Sequence, residues 1–188
     1  MILRLMIAAL ASYFLGNHNG AICVSLMMGD DVRSHGSGNA GLTNFIRSYG
    51  TGRAALVVII DAGKAVLACL LSGLLLQSAG YGLEGRMLGG LLVLVGHIYP
   101  ALQGFRGGKG ILSGWFVAWS IDWRVALIIS LVFFAAYGFT RYVSLGSVLA
   151  AVAFGVSFAI FYYESGRNGL HGYAGDRSDP VTFASFSW

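Results

Sequence analysis

Long apolar runs alternate with short polar connections along most of the chain, and this alternation constrains the fold more than any other feature. A bilayer core about 30 Å thick is crossed by a helix of roughly 20 apolar residues. Six runs qualify wholly or in part, the third and fourth being short: residues 2–28, 54–79, 87–102, 110–121, 123–140 and 143–163. We therefore predict an all-α integral membrane protein with about six transmembrane or partly spanning helices.

Composition excludes two other classes of protein. Of the residues, 56% are hydrophobic and only 11% are charged, whereas an average soluble domain carries about 25% charged residues. A small soluble domain leaves roughly a third of its surface in water, so it cannot hide this many apolar side chains. The 12 lysines and arginines are scattered singly, which excludes a nucleic-acid-binding face. The 28 glycines instead predict helices that pack closely in lipid.

The chain is predicted to contain one membrane domain and a tail. We assign residues 1–163 to an integral membrane domain, whose first helix is interrupted by GNHNG at residues 16–20. Residues 164–188 are polar and glycine-rich, so we expect a poorly ordered tail there and no seventh membrane helix. Cys23 and Cys69 lie inside apolar runs without CxxC spacing. They are expected to be buried hydrophobic residues, and no metal or cofactor is expected.

Basic residues in the connections predict the orientation of the helices. If the N-terminus faces outward, the connections at 29–53, 103–109 and 141–142 lie in the cytoplasm and carry six basic residues. Lysine and arginine are enriched in the cytoplasmic connections of membrane proteins. We therefore expect the polar residues of these connections to face the cytoplasm.

The segment GFRGGKG at residues 104–110 combines glycines with two cations. Its candidate phosphate ligands are Arg106, Gly107, Gly108, Lys109 and Gly110. Glycines allow positive φ angles, so several backbone N–H groups can converge on one anion. A helix that begins at Ile111 would direct its positive end to the same point. We predict a phosphate-binding loop; the alternative is a flexible turn whose basic residues follow the positive-inside rule.

The segment RSHGSGNAGLTNFIR at residues 33–47 is polar and flexible, although it lies between two apolar runs. Its candidate ligands for a polar head group are Ser37, Gly38, Asn39, Thr43, Asn44 and Arg47. Arg47 follows Thr43 by four residues and Asn44 by three, so these side chains share a face if this end of the segment is helical. The alternative is a turn with a helix N-cap at Ser37 or Thr43.

Three ionisable residues occur within the apolar runs. Asp61 and Lys64 are three residues apart, so they share a helix face and neutralise each other. A structural ion pair is favoured for Asp61, while Lys64 is also a candidate phosphate ligand. His97 in GHIYP is either a hydrogen-bonded structural residue or a general base or phosphate ligand. His35 is a weaker candidate of the same kind.

Five motifs together resemble one known family. In chain order they are HGSGNAGLTN at 35–44, DAGK at 61–64, GHIYP at 96–100, FRGGKG at 105–110 and VSLGS at 143–147. The same motifs in the same order are typical of the bacterial acyl-phosphate-dependent glycerol-3-phosphate acyltransferases. The resemblance covers roughly residues 10–160.

The resemblance implies a reaction. A fatty acyl group would pass from acyl phosphate to sn-glycerol 3-phosphate, giving lysophosphatidic acid and phosphate, the first step of phospholipid synthesis. The enzyme would be a multi-pass protein of the bacterial inner membrane, with its active site facing the cytoplasm. Its partners would be the two substrates, the lipid bilayer and an enzyme that supplies acyl phosphate, without nucleic acid.

The resemblance also implies roles for individual residues. Arg106, Lys109 and the loop amides would bind phosphate, the polar residues of 33–47 would orient the head groups, and Ser144 would line the site. The catalytic candidates are His97, Asn44 and Lys109.

Two departures from the family pattern keep other functions open. GNHNG replaces a GSIP-like stretch in the first helix, and residues 164–188 lack the usual last span with its HRxNI-like motif. An inactive, truncated family member is therefore one alternative. A membrane transporter of a small phosphorylated solute is another, because broken helices with anion-binding ends also occur in transporters.

Overall fold

In this computed structural model of the protein, every regular secondary-structure element of the described residues is a helix. The structure describes the backbone of residues 1–167 and the side chains of residues 1–161. The α-helices are α1 Ile2–Asn17, α2 Gly20–Met27, α3 Leu42–Tyr49, α4 Ala54–Gln77, α5 Gly82–Ile98, α6 Ile111–Ile121, α7 Trp123–Thr140 and α8 Val143–Arg167. Short 3-10 turns occur at Val32–Ser34 and Ala101–Gln103.

Apolar length divides these helices partly as the sequence predicts: the fourth segment is short as expected, but the third is long enough to cross a membrane and the first helix is short. Four segments are long and apolar enough to cross a membrane: Ala54–Gln77, Gly82–Gln103, Trp123–Thr140 and Val143–Phe161. Two shorter apolar helices, Ile2–Asn17 and Ile111–Ile121, complete the set of six predicted segments. The prediction of an all-α integral membrane protein is confirmed.

The third apolar segment begins earlier than the predicted residues 87–102. Helix α5 starts at Gly82 and includes Glu84 in its first turn, where a carboxylate faces the positive end of the helix. Arg86 is accommodated because its Nη1 atom donates a hydrogen bond to the carbonyl oxygen of Ser120 at 3.3 Å. Polar residues with such partners extend a helix beyond its apolar run.

The predicted interruption of the first membrane segment is confirmed. Helix α1 ends at Asn17 and α2 begins at Gly20. The Oδ1 atom of Asn19 accepts a hydrogen bond from the backbone N–H of Ile22 at 3.1 Å, which caps the start of α2. The break is therefore built by an asparagine N-cap.

Glycines allow α5 to approach its neighbours at backbone distance. A Cβ atom on Gly96 would overlap the carbonyl oxygen of Tyr13 in α1, and one on Gly89 would overlap that of Ala68 in α4. Small residues permit this packing where water does not drive helices together. Glycine-rich packing was expected, and the structure confirms it.

The 33–47 segment rests on its own apolar core. The buried members of this core are Ala21, Ile22, Val24, Val32, Ala40, Phe45 and Val57. They come from α2, from α3 and the loop before it, and from α4. The core holds the polar segment against the membrane helices.

The chain divides into two compact units, residues 1–123 and the residues from Arg124 onward. In the second unit, the guanidinium of Arg124 lies 4.6 Å from the ring centroid of Phe161, so the first turn of α7 contacts α8. Ser144 is exposed in the first turn of α8. The predicted membrane domain over 1–163 stays a prediction, and most of the predicted tail at 164–188 lies outside the described residues.

Candidate active site

A buried polar cluster joins α4 to α5. The Nζ atom of Lys64 lies 2.7 Å from Oδ1 of Asp61 and 2.7 Å from Nδ1 of His97. The same Asp61 oxygen lies 3.6 Å from Nδ1 of His97. All three residues are at most 5% exposed. The ion pair predicted for Asp61 is confirmed, and His97 lies in contact with it.

The same ion pair satisfies the broken ends of α1 and α2. Lys64 Nζ donates to the carbonyl oxygen of His18 at 3.0 Å and approaches that of Gly16 at 3.4 Å. The backbone N–H of Gly20 donates to Oδ1 of Asp61 at 3.0 Å. A helix C-terminus is negative and an N-terminus positive, so the cation and the anion each face the complementary end. The charges are thus compensated where lipid would make them costly.

Lys64 is therefore surrounded by protein acceptors. Its ammonium has three N–H donors, and the carboxylate of Asp61, Nδ1 of His97 and the carbonyls of Gly16 and His18 all lie within 3.4 Å. A role for Lys64 as a phosphate ligand stays a prediction, but it requires one of these contacts to be exchanged.

The two predicted loops meet beside His97. A Cβ atom on Gly108 would lie 2.5 Å from Nε2 of His97 and would overlap the carbonyl oxygen of Ala40. Only a residue without a side chain fits between these groups. Gly108 thus brings segments 33–47 and 104–110 together at the end of α5 that is predicted to face the cytoplasm. Lys109 is the next residue in the chain.

The amides of the glycine loop are only partly free for an anion. The N–H groups of Gly107 and Gly108 donate to the carbonyl oxygens of Ile98 and His97 at 3.1 and 3.2 Å. Within the described chain the N–H groups of Lys109 and Gly110 donate no hydrogen bond. Gly110 has φ +73 and occupies the position before α6, which begins at Ile111 as predicted. The backbone donors that could still reach an anion therefore lie in the later half of the predicted loop.

Most of the predicted polar ligands are accessible. Ser37, Gly38, Thr43, Arg47, Arg106 and Lys109 are exposed, and Asn39 is half-buried. The side chains of Arg47, Arg106 and Lys109 form no hydrogen bond or ion pair with residues 1–161. These three cations are free to bind an anionic ligand.

Asn44 differs from its neighbours in α3. The helix over Leu42–Tyr49 confirms the predicted local structure, and Thr43 and Arg47 are both exposed. Asn44 is only 2% exposed, so it does not share their face. Its Oδ1 accepts from the N–H of Ser37 at 3.0 Å, and its Nδ2 donates to the carbonyls of Val32 and His35 at 3.1 and 3.0 Å.

Both N–H groups of Asn44 are thus used to hold the preceding loop. One residue of helix advances a side chain by about 100°, which turns Asn44 inward when Thr43 and Arg47 face out. A catalytic role for Asn44 stays a prediction; its contacts indicate that it shapes the loop that carries Ser37.

Arg33 is a residue that the sequence reasoning did not select. Its Nη1 atom donates to the carbonyl oxygens of Gln103 and Arg106 at 2.7 and 3.1 Å, so it ties the two loops together. Its Nη2 atom lies 2.7 Å from a carboxylate oxygen of Asp31. The hydrogen bond from Arg33 lowers the pKa of Asp31, and the carboxylate raises the pKa of Arg33. The close Asp–x–Arg spacing was the available sequence signal.

His35 contacts a different group of residues. Its Nε2 atom lies 2.7 Å from Oδ2 of Asp30, which also accepts a hydrogen bond from the hydroxyl of Tyr49 at 3.1 Å. The N–H of Asp31 lowers the pKa of Asp30, and partial burial raises the pKa of Tyr49. His35 therefore supports the loop against α3.

Ser144 belongs to the second unit. Its role in lining the site stays a prediction.

Comparison with known proteins identifies similar sequences and structures. A sequence model of the family described as "Glycerol-3-phosphate acyltransferase" matches residues 6–183. The glycerol-3-phosphate acyltransferase of Finegoldia magna is 38% identical over 161 residues, which cover 85% of this chain and 78% of that protein. That of Laribacter hongkongensis is 40% identical over 156 residues, which cover 82% of this chain and 77% of that protein.

Solved structures show the same fold. PlsY (YgiH), an integral membrane glycerol 3-phosphate acyltransferase crystallised in its glycerol 3-phosphate form, aligns with a TM-score of 0.74 at 29% identity, covering 84% of this chain and 77% of that chain. Its lysophosphatidic acid form aligns with a TM-score of 0.71. Sequence, fold and motif geometry agree, and the chain belongs to the glycerol-3-phosphate acyltransferase family of integral membrane proteins.

Proposed function

We propose that this chain transfers an acyl group from acyl phosphate to the 1-hydroxyl of sn-glycerol 3-phosphate, giving lysophosphatidic acid and inorganic phosphate. Relatives that carry the acyltransferase name cover most of the chain, and the similar PlsY structures were obtained in glycerol 3-phosphate and lysophosphatidic acid forms. The proposal extends that activity to this chain, with acyl phosphate as the donor and phospholipid synthesis as the pathway.

The observation that carries the proposal is the group of unpartnered cations. Arg47, Arg106 and Lys109 are exposed and form no ion pair with the described residues. The unused amides of Lys109 and Gly110 lie at the start of α6, where the helix dipole favours an anion. Both proposed substrates carry phosphate, and guanidinium and ammonium groups are the usual ligands of phosphate.

The reaction needs positioning more than covalent catalysis. The carbonyl carbon of an acyl phosphate already carries a good leaving group, so a protein that gathers two anions and aims one hydroxyl supplies most of the rate. The hydroxyl oxygen forms a bond to the carbonyl carbon, and the bond from that carbon to the phosphate oxygen breaks. The hydroxyl proton passes to an oxygen of the departing phosphate. No carboxylate or cysteine of the chain is required as a nucleophile.

His97 fits a positioning role in this scheme. Its Nδ1 atom contacts the ammonium of Lys64 at 2.7 Å, and its Nε2 atom lies beside Gly108, the residue before Lys109. The ring therefore supports the loop that carries the phosphate-binding cation. A base at His97 remains the alternative, and the pH dependence of kcat separates the two.

We place this site on the cytoplasmic face of the bacterial inner membrane. The exposed cations of the two loops support this orientation, since basic connections remain in the cytoplasm. An enzyme that supplies acyl phosphate is proposed as a partner on the same side, because the donor must reach that face.

The test mixes detergent-purified protein with palmitoyl phosphate and glycerol 3-phosphate and measures lysophosphatidic acid. Lys109→Ala is expected to lower kcat/KM about 100-fold, the usual loss when one charged ligand of a reacting anion is removed. Arg53→Ala is the matched control, because Arg53 is also an exposed cation but lies in neither loop motif. Product formation that is absent in wild type, or equal in wild type and Lys109→Ala, contradicts the proposal.

Transport of a phosphorylated solute is the second candidate, because α1 and α2 form a broken helix of the kind found in transporters. The two helix ends at the break are, however, already compensated by Lys64 and Asp61. Uptake of radiolabelled glycerol 3-phosphate into proteoliposomes without formation of lysophosphatidic acid would favour transport.

A further inference from the structure

Asn19 lies where three parts of the site meet. It is 0% exposed and lies in the break between α1 and α2. Its Nδ2 atom donates to the carbonyl oxygen of Ala40 at 3.0 Å and lies 3.3 Å from Nε2 of His97. One side chain therefore contacts the broken helix, the 33–47 segment and α5.

The orientation of this amide is fixed by the helix that it caps. Its Oδ1 atom accepts from the N–H of Ile22 at 3.1 Å. An amide oxygen is required there, so the amide nitrogen must point the other way. One N–H of that nitrogen goes to Ala40. The same nitrogen lies 3.3 Å from Nε2 of His97.

Both ring nitrogens of His97 are consequently in contact with a polar group. The ammonium of Lys64 lies 2.7 Å from Nδ1, and the amide of Asn19 lies 3.3 Å from Nε2. Asp61, on the same helix as Lys64, is the other charged group that faces the ring. A neutral imidazole has one acceptor nitrogen, so in either tautomer only one of the two groups donates a hydrogen bond to the ring, while the other packs against the opposite ring nitrogen.

The same atoms form the site of Gly108. A Cβ atom on this glycine would overlap the carbonyl of Ala40 and approach Nε2 of His97, the two groups that Asn19 holds. We propose that Asn19 is a positioning residue of the acyl-transfer site, which fixes the ring of His97 and the backbone of Gly108 relative to each other. The expected effect on acyl transfer rests on the proposed function, whereas the contact between Asn19 and His97 does not depend on it.

Asn19→Ser tests the amide separately from the helix cap. Serine is as good an N-cap as asparagine, but it lacks the NH₂ group that contacts Ala40 and His97. Asn17→Ser is the matched control. Asn17 lies in the same break and is 1% exposed, and its amide contacts Tyr13 and Leu102 instead of His97.

Kinetics distinguish positioning from general destabilisation. Asn19→Ser is expected to lower kcat about 10- to 100-fold, since misplacement of reacting groups by about 1 Å costs as much. The KM for glycerol 3-phosphate should change little, because the phosphate-binding cations remain. Asn17→Ser should lose comparable thermal stability in detergent but retain most of kcat. Equal losses of kcat in the two variants, in proportion to stability, overturn the proposal.

A spectroscopic measurement tests the contact independently of activity. In protein labelled with ¹⁵N-histidine, the ring signals of His97 are identified by their loss in His97→Gln. Asn19→Ser should shift the Nε2 signal, and Asn17→Ser should leave it in place. An unchanged Nε2 signal in Asn19→Ser overturns the proposal. If the signal shifts but wild type makes no lysophosphatidic acid, the contact stands and the proposed function fails.

Discussion

Two groups of ionisable residues in this protein differ in their burial and in the presence of partners. Asp61, Lys64 and His97 are buried and contact one another as well as the ends of a broken helix. Arg47 and Lys109 are exposed and have no partner within the described chain. The first group organises the fold, and the second is available to a ligand. The comparison teaches that the presence of partners, more than charge itself, separates the structural residues from the residues proposed to bind substrate.

The two groups should respond in opposite ways to mutation. Removing one member of a buried pair leaves an uncompensated charge and costs about 3–5 kcal/mol of stability. Removing an exposed, unpartnered cation changes the free energy of unfolding by about 0.5 kcal/mol or less. Substrate binding should show the reverse order.

Asp61→Ala is expected to have the largest effect. The ammonium of Lys64 would stay buried without its anion, and the N–H of Gly20 would lose its acceptor. The free energy of unfolding, measured by denaturant titration in detergent, should fall by about 3–5 kcal/mol.

Glu84→Ala is the control for this variant, because Glu84 is an exposed acidic residue on a neighbouring helix. Replacing both buried charges, with Asp61→Leu and Lys64→Met, should recover part of the lost stability. The comparison between the two groups breaks down if Asp61→Ala and Glu84→Ala unfold alike.

Gly108→Ala tests the point where the two groups meet. Its Cβ atom would overlap the carbonyl of Ala40 and crowd Nε2 of His97, so the loop must move away. Overpacking of this kind costs about 1–3 kcal/mol. Because Lys109 moves with the loop, acyltransferase activity should fall by more than the change in stability explains.

Gly52→Ala is the matched substitution for that test. A Cβ atom at Gly52 would meet no atom within 4 Å. Stability and acyl transfer should therefore stay close to wild type. Retention of full activity by Gly108→Ala would show that the close approach of the two loops does not matter for the reaction.

Arg47→Ala should affect binding without affecting folding. The KM for glycerol 3-phosphate is expected to rise about tenfold, which corresponds to about 1.4 kcal/mol of lost phosphate interaction. Arg47→Lys should recover only part of this, since an ammonium does not bind phosphate in the bidentate manner of guanidinium. An unchanged KM would show that Arg47 does not bind glycerol 3-phosphate.

The sequence was sufficient for much of this architecture. Apolar runs predicted the membrane helices, and GNHNG at 16–20 predicted the break in the first of them. These features depend on neighbours along the chain. The motifs also selected Lys109 and His97 as candidates from chemistry local to each motif, and their roles in the site stay predictions.

Contacts between distant segments were not predictable in the same way. Asn19 meets His97, and Arg33 meets Gln103, only after the helices pack. The inward direction of Asn44 depends on the core beneath α3, so its spacing from Arg47 was misleading. Sequence patterns identify which residues are polar; tertiary packing decides which of them remain without partners.

The pair of Asp31 and Arg33 is intermediate between the two groups, because it has partners but is partly exposed. Its mutation should have the smallest effect. The side chains are 34% and 22% exposed, and a partly exposed ion pair contributes about 0.2–1 kcal/mol. Arg33 lowers the pKa of Asp31 through its hydrogen bond. A carboxyl whose pKa is lowered by folding stabilises the protein above its ordinary pKa of about 3.9 and loses that contribution as the pH falls through the lower, folded value.

Asp31→Asn should therefore be less stable than wild type by no more than about 1 kcal/mol near pH 6, and the difference should shrink as the pH approaches about 3. The measurement is the free energy of unfolding of both proteins in detergent across that range. The carbonyls of Gln103 and Arg106 still accept from Arg33 in the variant, so the loops should remain joined and kcat should change less than twofold. A difference that grows toward low pH would mean that the carboxylate is not stabilised by Arg33, and a large loss of kcat would place this pair with the substrate-binding cations.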